Sequence, residues 1–488
     1  MSNTNLAQPE AQIKAYEMLI GGKWCSASSG QVLESENPAT EEVIATIPDA
    51  TDADIDAAVE AARVGFAEWS GFGWKKRAKI LRELAARMDE QTDQFVSLDV
   101  LDSGKPIKGM HGDAQKAPQE FLYFAGLASQ LKGVTFETPD NSMCFTLREP
   151  YGIVGRIIPF NHPYRFCAKI AVALAAGNVV ILKPSEYTSL SALEFAKLSL
   201  DLFPDGVVNV VTGRGPITGA AIARHPKIPR VAFTGGVVAG KAVLREGAEH
   251  MKHVTLELGG KNPMIVFPDA DVTTAATGCI RGMNLARSMG QSCQSNSRVF
   301  VHAKIHDEFV ASLVSQVQDL KVGDPKDERV DMGALAYAGH YHRVMALIES
   351  GKAEGASLLT GGKRPAHLDK GYFVEPTVFA DVQDGMRIAN EEIFGPVISV
   401  FKWQDWDDMI QRANDIRFGL TANIWTNDIS LANRTARAVQ AGFVWINGQG
   451  GRVTGSPFGG YKESGLGKEG DLSDLLSYTR EKCIQTSL

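Results

Sequence analysis

Nothing in the sequence is long and apolar enough to cross a bilayer. The most apolar stretch, Ile170 to Leu182, is broken by Gly177-Asn178 and falls short of the roughly 18 to 20 residues a span needs, so it is expected inside protein. Cysteine is scarce as well. The six (Cys25, Cys144, Cys167, Cys279, Cys293, Cys483) are scattered, and no CxxC or Cys/His cluster has metal-ligand spacing. This excludes a disulfide framework and a cysteine-based metal site, leaving thiols in a reducing compartment, one of them a candidate for reactivity. Met1 to Lys14 lacks the basic, apolar and small-residue order of a secretory leader, and a cytoplasmic home is the expectation. Basic blocks are absent and the net charge is -7, which argues against nucleic acid or an anionic membrane as partner and in favour of small molecules. Pro/Ser-rich linkers, repeats and low-complexity segments are also missing.

What is there is a chain of 488 residues, 44% hydrophobic and 22% charged, room for two or three globular domains. Asp52–Phe66 and Trp74–Met88 carry amphipathic helical spacing, the second through Ile80, Leu81, Leu84 and Met88, and Gly104-Lys105-Pro106 is expected to end the helical region. From Gly152 the pattern changes. Short Val/Ile-rich runs at 153–158, 179–182, 207–211 and 231–233 alternate with helical stretches at 164–176, 190–203, 217–224 and 241–250. Such alternation predicts an α/β fold with a doubly wound parallel sheet. A second alternating region, 265–446, predicts a second α/β domain, and Lys132–Glu149 reads as a β-hairpin turning at Pro139-Asp140-Asn141.

Doubly wound sheets bind ligands at the carboxyl ends of their strands. There stand Pro159-Phe160-Asn161, Lys183-Pro184-Ser185-Glu186 and Phe233-Thr234-Gly235-Gly236, with Gly240 at the expected start of a helix. Glycines at such a turn let a phosphate approach backbone N–H groups and the positive end of the helix; they serve a plain tight turn equally well. Lys183 and Glu186 suit a ribose, or form a surface ion pair. A carboxylate there accepts the ribose hydroxyls and repels a 2′-phosphate, which favours NAD over NADP. Gly213-Arg214-Gly215 with Gly219 has one residue too many for the usual dinucleotide fingerprint. Cys293 lies in the polar stretch Gly290-Gln291-Ser292-Cys293, unlike the surroundings of an inert core thiol. Glu257 closes the run Val254–Leu256 and precedes Gly259-Gly260; it suits a base, a helix cap or half an ion pair.

These motifs, in this order and together with Glu391-Glu392-Ile393-Phe394-Gly395-Pro396 and Ser456-Pro457-Phe458-Gly459-Gly460, resemble those of the aldehyde dehydrogenase superfamily over nearly the whole chain. The resemblance implies that Cys293 is the nucleophile, Glu257 the base that activates water and Asn161 an oxyanion donor. It places Ile157, Pro159, Phe160, Lys183, Ser185, Glu186, Gly215, Gly219, Phe233, Thr234, Gly235, Gly236, Leu258, Gly259, Glu392 and Phe394 around NAD, with NADP as the alternative cofactor. No metal is required. Gly236 stands where relatives often carry Ser and Val238 where many carry Glu, which removes one side-chain bond to the pyrophosphate. It also implies a cofactor domain of residues 1–131 and 150–258, a catalytic domain of 259–461, and bridging segments 132–149 and 462–488 that build a homodimer or homotetramer.

After Asn161, the residues His162, Arg165, Phe166 and Lys169 recur at helical spacing on the segment that lines the aldehyde entrance in the family. With Ser292, Gln294, Arg452 and Phe458 they are the expected substrate residues. Arg165 and Lys169 are like charges four apart. Either a substrate anion relieves them, as in a semialdehyde, or protein carboxylates do, leaving aromatic side chains to line a pocket for an aromatic aldehyde. Two other functions fit the motifs less well: a semialdehyde dehydrogenase that transfers its acyl group to coenzyme A and needs no water-activating base, and a catalytically silent NAD(P)-binding protein.

Overall fold

The computed structural model describes residues 13–487; most of the polar N-terminal stretch, residues 1–12, lies outside them. The Val/Ile runs that follow Gly152 become five parallel strands, Ile153–Ile157, Val179–Lys183, Val208–Val210, Arg230–Thr234 and His253–Glu257, nearly every residue of them buried. Burial on both faces is why these runs are continuous in apolar residues rather than alternating. The sheet continues through Met18–Ile20 and Lys23–Cys25 at one edge and through Gly465–Leu466, antiparallel to His253–Glu257, at the other. From Ile153–Ile157 the chain first builds outward through the next two strands. It then returns to lay Arg230–Thr234 on the opposite side of Ile153–Ile157. That reversal opens a crevice above the carboxyl ends of these two strands.

A second sheet of seven strands takes in Pro263–Val266, Arg298–His302, Val397–Trp403, Thr377–Ala380, Thr421–Trp425 and Phe443–Ile446, all parallel, with Ser357–Thr360 antiparallel at one edge. Each of the two large sheets has its own hydrophobic core. The hairpin expected at 132–149 pairs Thr135–Phe136 with Ser142–Pro150, and Thr479–Ser487 runs antiparallel along the whole of the longer strand.

Several helical expectations need correction. Gly104, at φ 71°, does end the helix Thr92–Ser103, but two further helices, Ile107–Ala114 and Lys116–Leu127, follow at once. The stretch 164–176 is three short pieces: α-helix Pro163–Cys167, a 3-10 turn Ala168–Ile170 and α-helix Ala171–Ala175. The stretch 217–224 opens with a π-helical turn, Gly215–Gly219, and the helix expected from Lys241 begins at Val237 with Gly236 as its cap. Gly240 therefore lies within that helix, where it admits the Leu258 side chain: a Cβ would sit 2.5 Å from a Leu258 methyl. Among the described residues no helix is long and apolar enough to cross a membrane.

Candidate active site

Glu257 ends the last parallel strand of the first sheet, and Asn161 follows the first. Cys293 comes from the other half of the molecule, on the loop that leads into Arg298–His302. Backbone geometry forces that loop inward. Met289 and Gly290 are both left-handed, at φ 51° and 73°, and a Cβ on Gly290 would lie 2.1 Å from the Gly395 carbonyl oxygen. Asn262 then pins the loop by donating its side-chain amide to the carbonyls of Cys293, at 2.8 Å, and Ser295, at 2.9 Å.

Cys293, Glu257 and Asn161 meet on the wall of a single cleft of about 330 Å³. Burial, and then the neighbouring Glu257 charge, push the Cys293 thiol well above its ordinary pKa. Burial and the nearby negative charge of Glu469 raise Glu257 to about 7, against the opposing pull of Cys293, Lys169 and Arg452. One oxygen of Glu257 and the side-chain oxygen of Asn161 are buried without a hydrogen-bond partner, an exception that marks sites where a ligand or water is expected. The Asn161 amide nitrogen donates to the Gln291 carbonyl at 2.9 Å, which uses one of its two N–H groups. Glu469 is itself only partly exposed, yet Arg156 at 2.9 Å and Lys169 at 3.5 Å hold it down at about 2.

The rest of this cleft follows the strand ends. Ile157, Pro159 and Phe160 line it above one strand, Phe233, Thr234, Gly235 and Gly236 above its neighbour, and Leu258 and Gly259 beyond Glu257. Lys183, Ser185, Glu186 and Gly215 line its far end. Lys183 is buried and lies 3.5 Å from the Glu186 carboxylate, which accepts the Gly215 N–H at 3.0 Å. The pair thus faces the cleft rather than open surface. Gly219 is off the wall, packed beneath the Lys183 stem. Gly236 caps the twelve-residue helix Val237–Ala248, and the space where its Cβ would be is open; Val238 points to solvent, 83% exposed. An open helix N-terminus, a buried ammonium–carboxylate pair and an apolar wall fit the pyrophosphate, ribose and rings of a dinucleotide.

Glu392 and Phe394 enter the same cleft from the second sheet. Glu392 accepts the Gly260 N–H at 2.9 Å, and burial lifts its carboxyl to about 7. A Cβ on Gly259 would lie 2.0 Å from that carboxylate, so glycine is what lets it in. Phe394 is left-handed at φ 59°. Its carbonyl accepts from His340 Nε2 at 2.7 Å, and Arg343 donates to the Glu392 carbonyl at 2.6 Å. Burial lowers His340 to about 4, so its ring is neutral. Tyr337, His340 and Arg343 line the cleft with no expectation from the sequence; they belong to no motif, and only the chain's return to Phe394 brings them there.

The expected substrate residues divide. Phe166 lines the cleft beside Asn161, whereas Arg165, Lys169, Gln294 and Arg452 line a second cavity of about 140 Å³. His162 lies behind the wall, bonded to Asp113 at 2.5 Å and to Lys105 at 3.0 Å. Ser292 is buried and accepts the Gln294 N–H at 3.3 Å, and Phe458 is buried beneath the Arg452 guanidinium, 4.1 Å from the ring centroid. Both helix cations have protein partners: Arg165 lies 3.6 Å from Asp113, and Lys169 3.1 Å from Glu120 and 3.5 Å from Glu469.

Known proteins share this fold and much of this sequence over nearly the whole chain. The chain is 42% identical, over all its length and 98% of the relative's, to "Aldehyde dehydrogenase 1" of Tanacetum cinerariifolium. It is 43% identical, over 96% of its length and 94% of the relative's, to a hydroxyisobutyraldehyde dehydrogenase of Mycolicibacterium austroafricanum. Among solved structures, the NAD+ complex of an aldehyde dehydrogenase from Bacillus cereus superposes with a TM-score of 0.94 at 41% identity, covering 97% of each chain. A betaine aldehyde dehydrogenase from Staphylococcus aureus, also with NAD+, gives 0.94 at 35% identity, covering 96% of this chain and 94% of that one. The profile of the aldehyde dehydrogenase family matches residues 24–484, and the chain belongs to that family of aldehyde-oxidising enzymes.

Proposed function

We propose that this chain oxidises an aldehyde to the carboxylic acid with NAD, through a thioester on Cys293. The observation that carries the reading is the convergence of Cys293, Glu257 and Asn161 on one wall of a cleft whose far end holds Lys183 and Glu186. With its thiol acidity suppressed by burial, Cys293 needs a local base, and Glu257, titrating at about 7, is matched to that task at neutral pH. The thiolate adds to the carbonyl carbon, and the charge that develops on oxygen is met by the free Asn161 N–H. A preorganised donor of this kind contributes about 10²–10³ in rate. NAD, when bound in the cleft, supplies the acceptor for the hydride that leaves as the thiohemiacetal becomes a thioester. Glu257, once it has passed the thiol proton to solvent, takes a proton from the water that attacks the thioester, and Cys293 departs as thiolate. Lys183 and Glu186 hold the adenosine ribose, the N-terminus of Val237–Ala248 the pyrophosphate, and Glu392 and Phe394 the nicotinamide end. The Glu186 carboxylate favours NAD over NADP, tested by the ratio of kcat/KM for the two.

A buried, poised carboxylate beside the thiol is superfluous in transfer to coenzyme A, which favours hydrolysis over the acylating route. The deciding experiment is Glu257→Gln under single- and multiple-turnover conditions. Release of one NADH per site followed by a stall supports the assignment, and steady turnover at the parent rate removes Glu257 from its role. The chain divides in this reading into a cofactor domain (1–131 and 150–258), a catalytic domain (259–461) and bridging segments (132–149 and 462–488). Phe136, Met143 and Leu147 are exposed on the sheet that those segments build, a surface suited to pairing subunits into a dimer or a tetramer. A cytoplasmic setting suits the six free thiols.

A further inference from the structure

The second cavity has an excess of positive charge that the protein does not neutralise. Lys116, Arg165, Lys169 and Arg452 are on its wall, with Glu120 opposite. Behind it, Asp113 serves Lys105, His162, Arg165 and Arg287 together, while Glu469 divides itself between Arg156 and Lys169. Asp113 and Glu469 are therefore taken, and Glu120 is paired with Lys169. Among the described residues Lys116 and Arg452 have no carboxylate within 4.0 Å, whereas Arg165 and Lys169 do.

These two cations are placed to share a ligand. Lys116 is exposed to solvent on one side; its partial burial, and after it the charges of Arg287 and Arg165 with a contribution from Arg452, lower its ammonium to about 8, and an anion would reverse that. Arg452 is held over the Phe458 ring, which orients its planar fork without consuming its donors. The cavity also adjoins the chemistry. Gln294, the residue after Cys293, is on its wall, and Arg452 lies close enough to act electrostatically on both Glu257 and Cys293.

We propose that this cavity binds the far end of the substrate, and that the substrate is an aldehyde with a carboxylate at its other end, held by Lys116 and Arg452. The inference rests on the reading of Cys293 as the nucleophile, since that atom fixes where the aldehyde end lies. Arg165 and Lys169, already paired, shape the wall and leave the anion to the other two. A fork-to-carboxylate contact is charge-assisted and geometrically selective; loss of one such contact reduces kcat/KM by about 10- to 100-fold.

The test uses the full-length enzyme with saturating NAD and two pairs of aldehydes of equal length, 4-oxobutanoate against butanal and 5-oxopentanoate against pentanal. The acid of at least one pair is expected to be preferred by about tenfold or more. Lys116→Gln and Arg452→Gln are each expected to cut the acid-to-neutral ratio of kcat/KM by about tenfold, mostly through KM. Equal use of acid and neutral aldehydes, or a preference that survives both substitutions, overturns the subsite and leaves the Cys293 chemistry standing. Calorimetry on Cys293→Ser reads the subsite without turnover: pentanoate is expected to bind at least tenfold more tightly than the neutral pentanamide and to lose that advantage in Cys293→Ser/Arg452→Gln. Equal binding of the acid and the amide overturns the subsite whatever the outcome for catalysis, and selective pentanoate binding by an enzyme that oxidises no aldehyde faults only the Cys293 reading.

Discussion

Replacing Glu469 by Gln is expected to move the acid limb of the pH–rate profile downward. On the proposed mechanism Glu257 works in its ionised form, and its carboxyl stands at about 7 because it is buried and because Glu469 adds a second negative charge nearby. The parent enzyme is therefore expected to lose activity as pH falls through 7. Glu469→Gln removes the like charge and frees Lys169, which already favours ionised Glu257, so both consequences lower the Glu257 pKa. A shift on the order of one unit is the usual scale for one close charge. It corresponds to about 1.4 kcal/mol between protonation states. At pH 6 the ionised fraction would rise from about one tenth to about one half, a gain of roughly fivefold relative to each enzyme's own plateau. The assay is kcat between pH 5.5 and 9, read as NADH at saturating aldehyde and NAD. Arg156 is buried and bonded to Glu469, and leaving such a charge unpaired costs about 3–5 kcal/mol. Gln retains an acceptor, and a melting curve establishes that the variant is folded. A folded variant whose acid limb stays in place, or moves upward, refutes the electrostatic account of Glu257.

Three further outcomes are expected. Asn161→Ala should lower kcat by about 10²–10³ while fluorescence titration shows NAD binding unchanged within a few fold, because its side chain donates to the Gln291 carbonyl and, on the proposed mechanism, to the reacting oxygen. Cys293→Ser should abolish NADH formation and still bind NAD. Gly290→Ala should destabilise the fold by about 1–3 kcal/mol or more, since φ is 73° and the new Cβ falls 2.1 Å from the Gly395 carbonyl oxygen. Thermal melting reads the stability, and slower alkylation of Cys293 reads the displaced loop.

The parallel sheets were legible because a strand buried on both faces leaves a local mark: Val179–Lys183 and Arg230–Thr234 are short apolar runs bounded by turn residues. The position of the cleft was legible for a related reason. Ligands gather where parallel strands end, so Asn161, Glu186, Thr234 and Glu257 could be picked out by position before anything was known of their neighbours. The break in the stretch 164–176 left no such mark. Ala168 to Ala176 is buried almost throughout, apart from Lys169, so its apolar residues have no period that could say where the helix tightens into a 3-10 turn.

Charge pairing is where local reading fails outright. Arg165 and Lys169, four apart, register in the sequence only as a repulsion in want of an anion. What relieves them comes from the helices Ile107–Ala114 and Lys116–Leu127, through Asp113 and Glu120, and from Glu469 near the other end of the chain. The Arg287–Asp113 contact spans 174 positions, and no pattern within a helix or strand encodes a partner at that separation. The same reasoning explains why Lys116 went unnoticed. In the sequence it is one lysine among others, and it becomes conspicuous only once Asp113, Glu120 and Glu469 have been assigned to other cations. A site of the kind proposed, defined by what remains unpaired, is a property of the folded charge inventory, and it becomes visible only after the fold has paired the rest.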